Sequence, residues 1–310
     1  MGKRCEFWQD RFPSADGYSS ISYFCFAPTD VVPKAVIQIS HGMCEYFLRY
    51  RPLAEYLCDL GYVVCGNDHT GHGESAVDGE ELGLTGGVDA MVEDLYTLTE
   101  AMREQFAEIP VVLVGHSMGS FLARLYAEKY PEGADALVIV GTGGPDNPTE
   151  LGKALARTTA KLRGEKHRSP LITEIAFGSY NKGLDCEKGK KAWLSRDTAV
   201  VDAYAKDPFC NYTFTAKGYY DLFDMIGRVS RKEWATSLPK ELPILMLSGE
   251  ADPVGAYGKG VAKVYERLLA ADMSDVKLIL YPEMRHEVFN EVGKEQVFGD
   301  LVEWLAAHGF

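Results

Sequence analysis

Six short runs of apolar β-forming residues recur along the chain, and amphipathic stretches with helical spacing lie between most of them. The runs are KAVIQISHG (34–42), YVVCGND (62–68), PVVLVGHS (110–117), DALVIVGTGG (135–144), LPILMLSGEAD (242–252) and DVKLILYPEM (275–284). Successive strand residues point to opposite faces, so a continuous apolar run has to be covered on both, and crossover helices supply that cover. Helical patterns fall at about 48–60, 88–107, 117–130, 257–271 and 294–308. The alternation predicts an α/β fold with a mostly parallel central sheet flanked by helices. Ahead of it, YSSISYFCFAP (18–28) alternates like an antiparallel edge strand or hairpin.

The rhythm stops between about 145 and 238, where helical patterns are joined by Gly, Pro and Asn turns, and strands resume at 242. This divides the chain into a core of residues 1–144 and 239–310 and a helical cap inserted at 145–238, expected to lie over the active site. A chain of 310 residues is long enough for such a core.

A formal net charge of -13 argues against a nucleic-acid partner, since phosphate binding needs a concentrated positive field. It argues equally against general adhesion to anionic membranes. The N-terminal MGKRCEFWQDRF lacks the apolar stretch of a signal peptide, and no run approaches the ~20 apolar residues of a membrane span. Cysteines at 5, 25, 44, 58, 65, 186 and 210 have no metal-ligand spacing, and their odd number predicts free thiols in a reducing compartment. The expectation is a soluble cytoplasmic protein.

Gly115-His116-Ser117-Met118-Gly119 is a G-x-S-x-G sequence with a strand before it and the helical pattern SMGSFLARLYAEKY after it. That context makes it a nucleophile elbow, in which glycines clear a sharp turn and the helix N-terminus faces the reacting centre. A serine hydroxyl needs a base and an orienting acid. In this class the base follows the nucleophile and acid in chain order, which favours His286 in YPEMRHEVFNE over His308, two residues from the C-terminus, where disorder is commoner. The acid is Asp252 in LSGEADPVG, with Asp146 in GTGGPDNP as its rival. The backbone amides of Met118 and of Met43, in ISHGMCEY, are the expected oxyanion hole.

SHGMCEY, NDHTGHGES, VGHSMGS, SRD (195–197), SGEADPVG and RHE (285–287), in that order, resemble the monoacylglycerol lipase/lysophospholipase family of α/β-hydrolases, which is serine aminopeptidase-like. The resemblance spans nearly the whole chain. It implies an α/β-hydrolase fold, Ser117 as nucleophile, Asp252 as acid, His286 as base, the Met43 and Met118 amides as oxyanion hole, and no cofactor or metal. It also implies that His69 and His72 belong to a structural loop. The chain departs from the family in two places. Ser120 stands where a glycine is usual after the elbow, and a cap of about 90 residues is long beside the compact lids of monoacylglycerol lipases.

Candidate substrate contacts are His41 and, in YAKDPFCNYTFTAKGYYDLF (204–223), Tyr204, Phe209, Phe214 and Tyr220. That aromatic run either lines an acyl or aryl pocket or forms the small core of the cap. KALARTTAKLRGEKHRS (153–169), with Lys153, Arg157 and Lys161 four apart, is either a solvated helix face or a surface for transient membrane contact.

The expected activity is a serine carboxylic-ester hydrolase acting through an acyl-enzyme on small-molecule, lipid-like monoacyl esters. One alternative is a proline-iminopeptidase-like aminopeptidase, with Glu174, Asp185, Asp202 and Asp207 available to hold a free amine. The other is a non-enzymatic ligand receptor on the same scaffold.

Overall fold

The computed structural model describes residues 5–76, 81–146, 149–184 and 191–310. In chain order it has β1 (Cys5–Pro13), β2 (Ser20–Pro28), β3 (Val36–Ser40), α1 (Arg51–Asp59), β4 (Val63–Asn67), α2 (Val88–Gln105), β5 (Val111–His116), α3 (Met118–Lys129) and β6 (Ala136–Val140). Then come α4 (Thr149–Arg163), α5 (Pro170–Phe177), α6 (Thr198–Lys206), α7 (Ala216–Val229) and α8 (Glu233–Ser237). The chain closes with β7 (Ile244–Gly249), α9 (Lys259–Ala270), β8 (Val276–Tyr281) and α10 (Lys294–Ala307).

The strands form one sheet in the order β1-β2-β4-β3-β5-β6-β7-β8. β1 pairs antiparallel with β2, and β2 with β4; every pairing from β4 to β8 is parallel. Alternate residues of the central strands enter two cores. Val112, Val114, Val138, Leu245 and Leu247 meet Leu57 of α1 and Leu301 and Trp304 of α10. Leu113, Ile139 and Met246 meet Leu95 of α2, Leu122 of α3 and Val264 of α9 on the other face. This is why those strands read as unbroken apolar runs.

Two strands differ from their sequence reading. β1 carries almost no buried residue, with Phe7 at 38% exposure, so it lacks the alternation that marks a strand; its pairing with β2 alone makes it one. β8 reads as a buried run, yet it closes the opposite edge, and only Tyr281 is fully buried.

Cys5 is joined to Cys58, tying the edge strand to α1 with 6.2 Å between Cα atoms. The expectation of free thiols therefore fails for this pair, whose separation of 53 residues matches no motif. Cys25, Cys44, Cys65 and Cys210 are free and buried; Cys186 lies outside the described residues. Among the described residues no helix is long and apolar enough to cross a membrane.

The helices between β6 and β7 share a core with the elbow side of the sheet. Tyr219, Leu222 and Phe223 of α7 join Met118, Phe121 and Leu122 of α3 in one buried cluster.

Candidate active site

β5 ends at His116, and Ser117 caps α3 with φ 53° and ψ -119°, a left-handed conformation that non-glycine residues rarely adopt. The flanking glycines permit it. A Cβ at Gly115 would lie 2.4 Å from the carbonyl oxygen of Gly119, and one at Gly119 would lie 2.0 Å from that of Ser40. The helix thus presses against the ends of its own strand and of β3, where no side chain fits.

The Ser117 hydroxyl lies 2.8 Å from His286 Nε2, and His286 Nδ1 lies 3.0 Å from Asp252 Oδ2. A carboxylate facing Nδ1 fixes that nitrogen as the N–H, leaving Nε2 to accept from Ser117. Asp252 is fully buried, and its other oxygen accepts from the Val254 amide at 2.8 Å. Asp146, the rival acid, is exposed and paired with Lys263.

The loop carrying His286 is held by the segment between β6 and β7. The amides of His286 and Glu287 donate to the carbonyls of Trp193 (3.3 Å) and Leu194 (2.8 Å). The Arg285 guanidinium donates to Ala192 O at 2.7 Å, and Arg196 pairs with buried Glu291 at 3.1 Å. The Trp193 ring stands 5.1 Å from that of His286.

A second buried network lies on the other side of the serine. Glu45 Oε1 accepts from the Gly42 amide and from the Tyr50 hydroxyl (2.8 Å), and lies 3.0 Å from His116 Nδ1. Arg49 binds Glu45 at 2.8 Å and both carboxylate oxygens of Glu287 at 2.8 and 2.7 Å. Burial would push the Glu45 carboxyl up, but His116 and Arg49 hold it well below the usual range.

Met43 and Met118 line the same cavity as Ser117. As the first residue of α3, Met118 has an amide with no acceptor inside its helix. These groups open into a cavity of about 500 Å³. Phe121 closes it on the sheet side; Phe177, Trp193, Tyr219, Phe223 and Ile226 close it from the β6–β7 segment.

Residues 32–293 match the family described as Serine aminopeptidase, S33. The chain belongs to that family. It is an α/β-hydrolase, a serine hydrolase of the carboxylesterase and lipase type. It is 28% identical to a monoacylglycerol lipase of Mycolicibacterium smegmatis, over 93% of each chain. It is 29% identical to the monoglyceride lipase of Homo sapiens, over 91% of this chain and 86% of that one. Its fold superposes with a TM-score of 0.91 on a thermostable carboxyl esterase from Bacillus coagulans solved with glycerol, at 28% identity, covering 98% of this chain and 99% of the other.

Of the substrate contacts expected for this hydrolase, Tyr204 borders the cavity, under the Arg49 and Lys191 side chains at 4.9 and 4.6 Å. The others do not. His41 is fully buried; its Nδ1 bonds the Gly42 carbonyl and its Nε2 accepts the His69 amide, so no atom is left to meet a substrate. Burial pushes its pKa down to about 4 despite nearby Glu45, and the ring is neutral. Phe214 is buried against His72 and Tyr219, Phe209 packs on Tyr46 at the surface, and Tyr220 lies under Lys153. His69 and His72 are wholly buried, and burial depresses both.

The aromatic run 204–223 does supply part of the cavity wall, but through Tyr219 and Phe223 of α7 rather than Tyr220; with Leu222 and Ile226 these stand at i, i+3, i+4 and i+7. Glu45 and Arg49 pair at i, i+4, but Glu287 joins them across 238 residues from Arg49, and no local pattern in the sequence marks the three as one network. Among the acids proposed to hold an amine, Glu174 borders the cavity, Asp207 is engaged by the Tyr46 hydroxyl at 2.8 Å, and Asp185 lies outside the described residues.

Proposed function

We propose that this ester hydrolase works through an acyl-enzyme, with Ser117 as nucleophile, His286 as general base and acid, and Asp252 as the group that orients the imidazole. Ser117 Oγ attacks the ester carbonyl as its proton passes to His286 Nε2; the imidazolium then protonates the departing alcohol. Water repeats the sequence on the acyl-serine and releases the acid. The Met43 and Met118 amides hold the negative oxygen of each tetrahedral intermediate. The observation that carries this reading is the Ser117–His286–Asp252 relay at 2.8 and 3.0 Å on a strained elbow.

The substrate class we propose is a monoacyl ester of the monoacylglycerol or lysophospholipid type. The apolar wall of α7 supports it, because a cavity of this size and lining suits one acyl chain. Residues 145–238 then serve as the cap that sets chain length. Exposed Leu151 and Leu162 on α4, which also carries exposed Arg157 and Lys161, and exposed Leu171 and Ile175 on α5 favour transient contact of this cap with a lipid surface.

Hydrolysis rates across p-nitrophenyl esters of rising chain length, monoacylglycerol, lysophosphatidylcholine and aminoacyl amides test this. The expected result is turnover of medium-chain esters and monoacylglycerol, with amides slowest. Faster cleavage of aminoacyl amides contradicts it.

A further inference from the structure

Both ring nitrogens of His116 face hydrogen-bond acceptors. Nδ1 lies 3.0 Å from Glu45 Oε1, and Nε2 lies 3.3 Å from the backbone carbonyl oxygen of His286. A bare nitrogen at either place would set its lone pair against that of an acceptor. The Tyr50 hydroxyl is 2.8 Å from both Nδ1 and Glu45 Oε1, but it has one proton, and the carboxylate is the stronger acceptor. Charge counting agrees. Glu45 and Glu287 bring two negative charges into a space where each side chain is 3% exposed, and Arg49 brings one positive charge. Buried charge is tolerated when it is compensated, so a second cation belongs here.

We infer that His116, the residue before the nucleophile, is an imidazolium at neutral pH and acts as a positioning residue, bracing the oxyanion loop against the loop that carries His286. The inference rests on the role proposed above for Ser117, His286 and the Met43 amide. Glu45 Oε1 accepts both the Gly42 amide and His116 Nδ1–H, while His116 Nε2–H donates to His286. One cation therefore ties the peptide beside Met43 to the base.

Burial alone would strip the proton from His116; Glu45 outweighs it and raises the pKa. The other groups facing the ring are Tyr50 and Arg49, both held well above their ordinary values, His41, held neutral, Glu287, and the His286 ring, tilted 44° to it with centroids 4.9 Å apart. A raised histidine keeps its proton below its ordinary value and loses it as pH climbs through the raised one. The brace is then lost on the alkaline side, where Nδ1 turns a lone pair toward Glu45.

Two measurements test this. Protein labelled with ¹⁵N-histidine reports the ring nitrogens directly, with His116 assigned by its absence from His116→Gln, or by contact with the Tyr50 ring if that variant does not fold. Two protonated nitrogens at about pH 7 are expected; one unprotonated nitrogen there overturns the inference, whatever the activity. The second is kcat between about pH 6 and 10. His116→Phe, which removes both donors, is expected to lower kcat about 100-fold with KM little changed. Glutamine can donate without titrating, so His116→Gln recovers about tenfold of that loss and removes the alkaline fall. Equal loss in both variants at every pH overturns the positioning role.

Discussion

Arg49→Met isolates the buried network that flanks the catalytic serine. The guanidinium side chain is 11% exposed and meets Glu45 at 2.8 Å and Glu287 at 2.7 Å, each 3% exposed. At an effective dielectric of about 20, unit charges at that separation attract by about 6 kcal/mol per pair. Much of this is offset by desolvation of the guanidinium, a cost the variant no longer carries. What remains is two buried carboxylates that have lost their guanidinium, and breaking such a pair from one side costs about 3–5 kcal/mol. Glu287 keeps a bond from Asn290 Nδ2 at 3.1 Å, and Glu45 keeps its bonds from Gly42, Tyr50 and His116, which places the outcome near the lower end. Urea unfolding of Arg49→Met at neutral pH should show about 3 kcal/mol of lost stability. Adding Glu287→Gln should restore part of it, because a neutral amide tolerates burial better than an unpaired charge. A loss below about 1 kcal/mol, or no recovery in the double variant, would mean that the guanidinium does not compensate these carboxylates.

Three further predictions concern the site. Asp252→Asn should lower kcat on p-nitrophenyl esters about 10³- to 10⁴-fold while far-ultraviolet circular dichroism stays unchanged, because an amide no longer fixes the Nδ1–H tautomer of His286. Gly119→Ala should cost at least about 2 kcal/mol in urea unfolding, since its Cβ would meet the backbone oxygen of Ser40 at 2.0 Å and rigid backbone cannot step aside. Ile226→Trp adds bulk to the cavity wall formed by α7, and the chain length giving the highest kcat/KM should fall by several carbons; an unchanged optimum would mean that the acyl chain runs elsewhere.

Much of the architecture was legible because its causes are local. The central strands are covered on both faces and so spell unbroken apolar runs, and the elbow needs glycines at fixed positions around one serine. The base and acid follow from chain order once the fold class is known. What escaped notice depends on long-range pairing or on which way a side chain turns. β1 buries nothing that would mark it, and its partner β2 alone makes it a strand. Tyr219 and Tyr220 are neighbours, yet one faces the cavity and the other lies under Lys153, because adjacent residues of a helix point about 100° apart. Composition alone does not separate Tyr220 from Tyr219; the helical period selects Tyr219 and Phe223, together with Ile226. His41, two residues before Met43, reads as a substrate contact from sequence, but its ring turns inward to bind the His69 amide.

Activation of Ser117 by His286 and Asp252 is tested by labelling the folded protein with a fluorophosphonate and locating the adduct by mass spectrometry. One adduct is expected, on Ser117, absent from folded Ser117→Ala and slowed in Asp252→Asn. No adduct on the folded wild-type protein, or an adduct that persists in Ser117→Ala, would contradict it.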